Sequence, residues 1–348
     1  EELQRFASVE AFPIPQEHSR TRLLWDHLRS VLVGRPYTYY TYQSRGFGTR
    51  LEALLREKDY DLVHVDSMDL SFYLSRLTNS HLVCGHHNVE SELLRRRADS
   101  VDNAVKAGYL RRQARLLEEE EDLWCPRVDL NVTVSARDRE TLRKRVPDAD
   151  IDVVPNGVDV ESYRPSDRET DGIVFVGGCT WFPNRDALDY FSEDILPLVR
   201  ERQPEVSVRW VGRAVPEVRA VFEERHGLDM PGYVEDIRPY VHASSCYVVP
   251  IRVGGGSRLK ILDAWAMGKA VVSTSQGCEG LDAKDGENIL IRDEPQAFAE
   301  AVNRVLTDGE LRDELGRRAR RTAEEVYSWK VIGVDMNARY EELAGVEG

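Results

Sequence analysis

Short apolar runs recur along the chain, each closed by a turn-forming or charged stretch and followed by a longer segment of helical spacing. In the first half the runs at 61–65, 80–84 and 130–134 predict buried strands, and a long charged helix is expected over 101–124. Ser135 follows the last of these runs and is placed to cap a helix over 137–144. Residues 151–154 predict a short strand that ends in the turn Pro155-Asn156-Gly157. The second half repeats the rhythm, with strands expected at 172–176, 206–211, 246–251 and 270–274 and an edge strand at 288–291. Helices are expected to start near Pro183, Pro216, Ile237, Arg258, Glu294 and Glu310, and 331–344 reads as a last amphipathic helix. Strands alternating with helices imply parallel sheets joined by right-handed crossovers.

A chain of 348 residues is too long for one ordinary core and suits two domains. The polar stretch 161–171 sets the boundary, giving an N-terminal domain over 1–160 and a second over 161–328. The closing segment 329–348 is expected to pack back toward the first domain. A doubly wound domain usually opens with a strand and a glycine-rich turn, yet no such turn precedes Gly46-Phe47-Gly48. Roughly the first βαβ unit is therefore expected to be missing from this sequence.

Composition narrows the class. Hydrophobic residues make up 41% and charged residues 31%, which is globular and unlike a disordered chain. The formal net charge of −14 disfavours nucleic acid as a partner. No uncharged apolar run is long enough for a membrane-spanning helix, and the opening EELQRFASVE lacks the apolar core of a signal peptide. Five scattered cysteines form no CxxC pair and read as free thiols in a reducing cytoplasm.

The chemistry concentrates in 246–268, which reads strand, glycine loop, helix. Gly254, Gly255 and Gly256 let the backbone approach a ligand closely, and the helix N-terminus offers free N–H groups and partial positive charge. Together they suit a diphosphate. Arg258 and Lys260 oppose the helix macrodipole there, a conflict that an anionic ligand would remove. Neither GxxxxGK[ST] nor GxGxxG occurs, so the phosphate-loop and dinucleotide fingerprints are absent.

The string Gly254-Gly255-Gly256-Ser257-Arg258-Leu259-Lys260-Ile261-Leu262-Asp263-Ala264-Trp265-Ala266-Met267-Gly268 resembles the donor loop of family 4 glycosyltransferases, in the subgroup reading close to GGGxRLKILEAMAMG. His86-His87-Asn88-Val89-Glu90, Val154-Pro155-Asn156-Gly157-Val158-Asp159, Phe175-Val176-Gly177-Gly178, Gly232-Tyr233-Val234 and Cys278-Glu279-Gly280-Leu281 resemble further motifs of that family, in the same order. The resemblance implies the α/β GT-B fold: two facing Rossmann-like, doubly wound domains with parallel sheets and a cleft between them. It also implies a nucleotide-sugar donor held mainly by the C-terminal domain and an acceptor held by the N-terminal one.

Carried over by position, the resemblance makes His87, Arg258 and Lys260 the catalytic candidates. Donor contacts fall on Gly177, Gly178, Arg213, Val234, Gly255, Gly256, Ser257, Arg258, Leu259, Lys260 and Asp263. Asp263 stands where the family's ribose-binding Glu sits, and Val234 where a backbone meets the nucleobase. The family's other Glu would fall at Gly255, and its usual phosphate-binding Arg and Lys at Gly178 and Pro183-Asn184. Arg258 and Lys260 are the expected replacements for those cations, and Trp181 is expected to pack beneath the loop. The implied reaction is retaining transfer of a hexosyl group from a UDP- or GDP-sugar to a hydroxyl of a glycan or glycolipid. No metal and no cofactor is expected, since the D-x-D strings at 59–61 and 148–150 read as solvated surface. A glycolipid acceptor would bring the chain to the inner membrane face as a peripheral protein. A nucleotide-sugar epimerase or hydrolase of the same fold, or a non-catalytic binding protein, are the competing functions.

Overall fold

The structure, a computed structural model, describes residues 3–17, 19–77, 79–166, 171–254 and 258–345. The chain forms two compact units, Glu1–Val153 with Ala338–Gly348, and Val154–Asn337.

The first unit is built on a four-stranded sheet of β1 (Leu62–Val65), β2 (His81–His86), β3 (Leu130–Thr133) and β4 (Ile151–Val153). All strands run parallel, in the order β1-β2-β3-β4. Helices α1 (Arg20–Val33), α2 (Arg45–Glu57), α3 (Glu90–Asp99), α4 (Ala104–Trp124) and α5 (Ala136–Arg143) connect and cover it. The centre of the sheet is apolar and covered on both faces, with Val83, Cys84 and Leu130 fully buried, while polar residues such as His64, His81 and Asp152 sit on the outer strands or at strand ends. Ser135 does cap α5, its hydroxyl accepting from the Asp138 N–H at 3.1 Å. Gly46 and Gly48 lie inside α2 rather than in a turn. A buried ionic knot joins α4 to its neighbours: the Glu121 carboxylate accepts from the Ser91 hydroxyl at 2.6 Å and from Arg145 Nη2 at 2.8 Å.

The second unit carries a six-stranded parallel sheet of β5 (Ile173–Val176), β6 (Val208–Val211), β7 (Asp229–Gly232), β8 (Cys246–Val249), β9 (Val271–Ser273) and β10 (Leu290–Ile291). The order is β10-β9-β8-β5-β6-β7. Helices α6 (Phe182–Tyr190), α7 (Pro216–His226), α8 (Leu259–Ala266), α9 (Pro295–Thr307), α10 (Gly309–Val326) and α11 (Trp329–Ala344) surround it. The aromatic residues Phe175, Trp210, Tyr247 and Trp265 are fully buried here, and the Phe175 and Trp210 rings stack at 3.9 Å. Of the strands, β7 is the one that the hydrophobic pattern does not foretell. It reads Asp-Met-Pro-Gly, and such a sequence is tolerated because β7 is an edge strand, where Pro231 costs no ladder hydrogen bond.

The division into units passes through α11. In the second unit Trp329 and Ile332 press on Gly157, where a Cβ would come within 2.7 Å of the Trp329 ring. Past Ala338 the helix belongs to the first unit: Arg339 pairs with Asp150 and Asp152, each at 3.1 Å, and the Tyr340 hydroxyl meets His64 Nδ1.

Candidate functional site

The strand order of the second unit defines a crevice. From β5 the sheet extends through β6 to β7 on one side, and from β8 through β9 to β10 on the other. Adjacent strands whose crossovers diverge leave a gap outside their carboxyl ends, where open α/β sheets bind ligands. Gly177 and Gly178 leave β5 at this point, and the loop to α8 leaves β8 beside it.

The two loops are tied together by one lysine. Lys260, in the first turn of α8, donates to Asn184 Oδ1 at 2.6 Å and lies 4.4 Å from the centre of the Phe175 ring. Asn184 in turn donates to the Gly178 carbonyl at 3.0 Å. No carboxylate pairs with Lys260 among the described residues. Burial, and secondarily the charge of Arg258, push its ammonium down to about 7. A cation held in this state is poised for an anion that supplies the missing charge.

Arg258 does something different. Its guanidinium is buried and donates to the Gln276 carbonyl at 2.8 Å and, at 3.5 Å, to that of Gly254. Gln276 Nε2 donates to the same Gly254 carbonyl at 2.8 Å. Arg258 thus braces the bend from within and adds to the local positive potential. Gly254 needs that bracing and needs to be glycine: its φ is +110°, and a Cβ there would stand 2.9 Å from Pro183 Cγ. Gln276→Ala should loosen the bend and lower stability by about 1 kcal/mol, as thermal melts would show.

Asp263 lies one turn further along α8, half-buried, its carboxylate making no hydrogen bond or ion pair among the described residues. Burial alone pushes its carboxyl up to about 6. An unpartnered carboxylate in that position is an acceptor for ligand hydroxyls.

The remaining candidates are spread more widely. Gly177 faces protein: a Cβ there would meet Asn184 at 2.8 Å, and Gly178 abuts the Arg213 backbone. Both glycines therefore serve close packing of the β5 and β6 loops. Arg213 is exposed, its guanidinium 4.8 Å from the Tyr233 ring, and Val234 packs on the core beyond β7. Leu259 is exposed at the start of α8. Gly255, Gly256 and Ser257 lie outside the described residues. Trp181 does not pack beneath the loop; it is 61% exposed, because the chain turns outward before α6. His87 belongs to the first unit and is exposed after β2, with Asp66 Oδ2 3.3 Å from Nε2. Its neighbour His86 faces inward onto Asn131 at 3.0 Å, and burial holds it down to about 4. Gln276 escapes sequence reasoning, since an amide in a turn carries no pattern, and the sequence marks Asn184 only as the place of a missing cation; their contacts reveal what both do.

Two α/β units with parallel sheets of four and six strands, the larger with its switch point lined by Lys260, Arg258 and Asp263, define a GT-B fold. Residues 170–308 match the family model described as "Glycosyl transferases group 1", and residues 11–162 match that of "Glycosyltransferase Family 4". Among curated relatives, the chain is 31% identical over 103 residues to the lipopolysaccharide core biosynthesis glycosyltransferase LpsE of Rhizobium meliloti, covering 29% of this chain and 30% of that one. A 44.6 kDa protein encoded in the cps region of Klebsiella pneumoniae is 23% identical over 148 residues, covering 40% of this chain and 38% of that one. The chain thus spans less than two fifths of the length of either relative. Among solved structures, sucrose-phosphate synthase from Thermosynechococcus elongatus superposes with a TM-score of 0.68 at 18% identity, over 88% of this chain and 82% of that one. Anabaena HepE in complex with UDP gives 0.66 at 15% identity, over 85% and 82%.

Proposed function

We propose that the chain is a glycosyltransferase that moves a hexosyl group from a nucleoside diphosphate sugar to a hydroxyl of a glycan or glycolipid, with retention and without a metal. The observation that carries this is the ammonium of Lys260, buried without a carboxylate at the switch point, with the free Asp263 carboxylate one turn away on the same helix. A cation and a hydroxyl acceptor so spaced suit the two ends of a ribosyl diphosphate. That HepE is solved with UDP and with UDP-glucose, and pneumococcal GtfA with UDP and GlcNAc, supports a uridine nucleotide as the first donor to try.

As the anomeric bond breaks, negative charge gathers on the leaving diphosphate. In this reading Lys260, held in place by Asn184, and the N–H groups that open α8 meet that charge from fixed positions, which lowers the barrier without reorganisation. Arg258 keeps the Gly254 bend in place and raises the local potential. In this assignment Asp263 holds the ribose, and Gly255, Gly256, Ser257 and His87 keep the donor- and sugar-binding roles that the family resemblance implies.

A thermal-shift screen against UDP- and GDP-sugars tests the proposal. A true donor at about a hundred times its Kd adds roughly 2.7 kcal/mol to stability and lifts Tm by several degrees. Proton NMR of the product then reads the anomeric configuration. Absence of any shift across both nucleotide series would leave the fold without this activity.

A further inference from the structure

The first unit holds a cavity of about 440 Å³ that is unlike the rest of the molecule in charge. It is lined by Arg22 and Arg29 from α1, Arg45 at the start of α2, and Arg76 from the segment after β1. Glu52 is the one carboxylate in its lining. Four arginines around a single acid in a chain of net charge −14 is a local reversal of sign.

The pairings leave much of that charge uncompensated. Arg76 donates to Glu52 at 2.9 Å, and Arg22 to Asp26 at 2.8 Å. Arg29 lies with its guanidinium 4.3 Å from the centre of the Tyr40 ring and meets no carboxylate among the described residues; nor does Arg45. Gly48 keeps room for the cluster, since a Cβ there would stand 2.9 Å from Arg76 Nη1. The N-terminus of α2, capped by Ser44, adds its partial positive charge to the same cavity. Planar guanidinium forks converging from three segments match the oxygens of a phosphate rather than a neutral sugar.

We propose that this cavity binds a phosphate or diphosphate group carried by the acceptor. The word acceptor rests on the transferase function above; the binding does not. The group has two sources. It belongs either to a soluble phosphorylated saccharide or to a lipid headgroup, and Leu24, Trp25, Leu28 and Leu32 form an exposed apolar stripe along the same α1 that carries Arg22 and Arg29.

Calorimetric titration with inorganic pyrophosphate tests the site. The wild-type chain should take up two equivalents, one in each unit. Arg29→Ala/Arg45→Ala should lose the one in the first unit, with affinity there falling about tenfold or more, while Arg29→Lys/Arg45→Lys keeps most of it. Lys260→Met should lose the other equivalent only, so a failure there counts against the donor site and leaves this cavity standing. Flotation with phosphatidylglycerol vesicles, but not with phosphatidylcholine vesicles, that disappears in the double alanine variant assigns the phosphate to a lipid. Pyrophosphate binding without flotation assigns it to a soluble ligand. A double alanine variant with unchanged Tm that matches wild type in both titration and flotation overturns the proposal.

Discussion

Lys260→Met should weaken nucleoside diphosphate binding about ten- to a hundredfold while leaving the fold at least as stable as before. The first half follows from the loss of a charge-assisted contact in a desolvated site, each worth about 1.5–3 kcal/mol. The second half is the discriminating part. Burial depresses Lys260 from its ordinary 10.5 to about 7. The fold therefore disfavours the charged form, and stability declines as pH falls from 10.5 toward 7. Methionine fills similar volume with no charge to desolvate, so its melting temperature should match or exceed that of the parent near pH 7. A purely structural lysine would show the reverse, a lower Tm with unchanged affinity.

The same depressed value gives binding a pH signature. At pH 6 Lys260 is already protonated and meets the diphosphate as a cation; at pH 9 the ligand must first draw a proton from solvent. Affinity for UDP should then fall from pH 7 upward, by up to about tenfold per pH unit, with net proton uptake in calorimetry. Lys260→Arg, whose guanidinium stays charged, should flatten that slope. A wild-type affinity independent of pH across this range would show that Lys260 does not face the ligand.

Asp263→Asn should lose nucleotide affinity by a comparable factor and, unusually for a substitution on a buried helix face, raise Tm at neutral pH. Burial lifts this carboxyl from 3.8 to about 6. Stability due to its protonated form is therefore present below pH 3.8 and lost as pH rises through 6. Asparagine removes the burden at pH 8 and has little effect near pH 3, so the gain in Tm should grow with pH. In the complex, ribose hydroxyls would donate to the ionised carboxylate and offset its desolvation. Asparagine offers one acceptor and a donor in its place, which leaves one hydroxyl badly matched. Thermal melts over that pH range, with and without UDP, read both effects. A variant that binds UDP as well as wild type would remove Asp263 from the ribose site.

Much of the architecture is written in local pattern. The strands β1 to β4 and β8 to β9 follow from short apolar runs, densest in β8 and β9 at the centre of the larger sheet, where both faces are buried. The helix starts at Phe182, Pro216, Arg238, Leu259, Pro295 and Gly309 fall within a residue of their caps and prolines in the text. The glycine bend before α8 is equally visible, because a φ of +110° at Gly254 demands that residue type. The edge strand β7 is not, since Pro231 and Gly232 in a four-residue strand imitate a turn. Trp181 misleads for a similar reason: its size argues burial, and only the outward path of the chain before α6 exposes it.

What the sequence determined by itself was the class: a parallel α/β chain with a glycine-and-cation loop fit for a diphosphate, because hydrophobic period, turn residues and helix caps are local properties. What only the tertiary structure decided was the division of labour within that loop. Arg258 and Lys260 stand two residues apart and look alike in the text, yet one folds inward to hold the carbonyls of Gly254 and Gln276 and the other reaches across to Asn184. Gln276 and Asn184, the partners that separate them, stand 18 and 76 residues away along the chain. Desolvation, which lowers Lys260 and raises Asp263, likewise exists only once those distant segments have closed over the site.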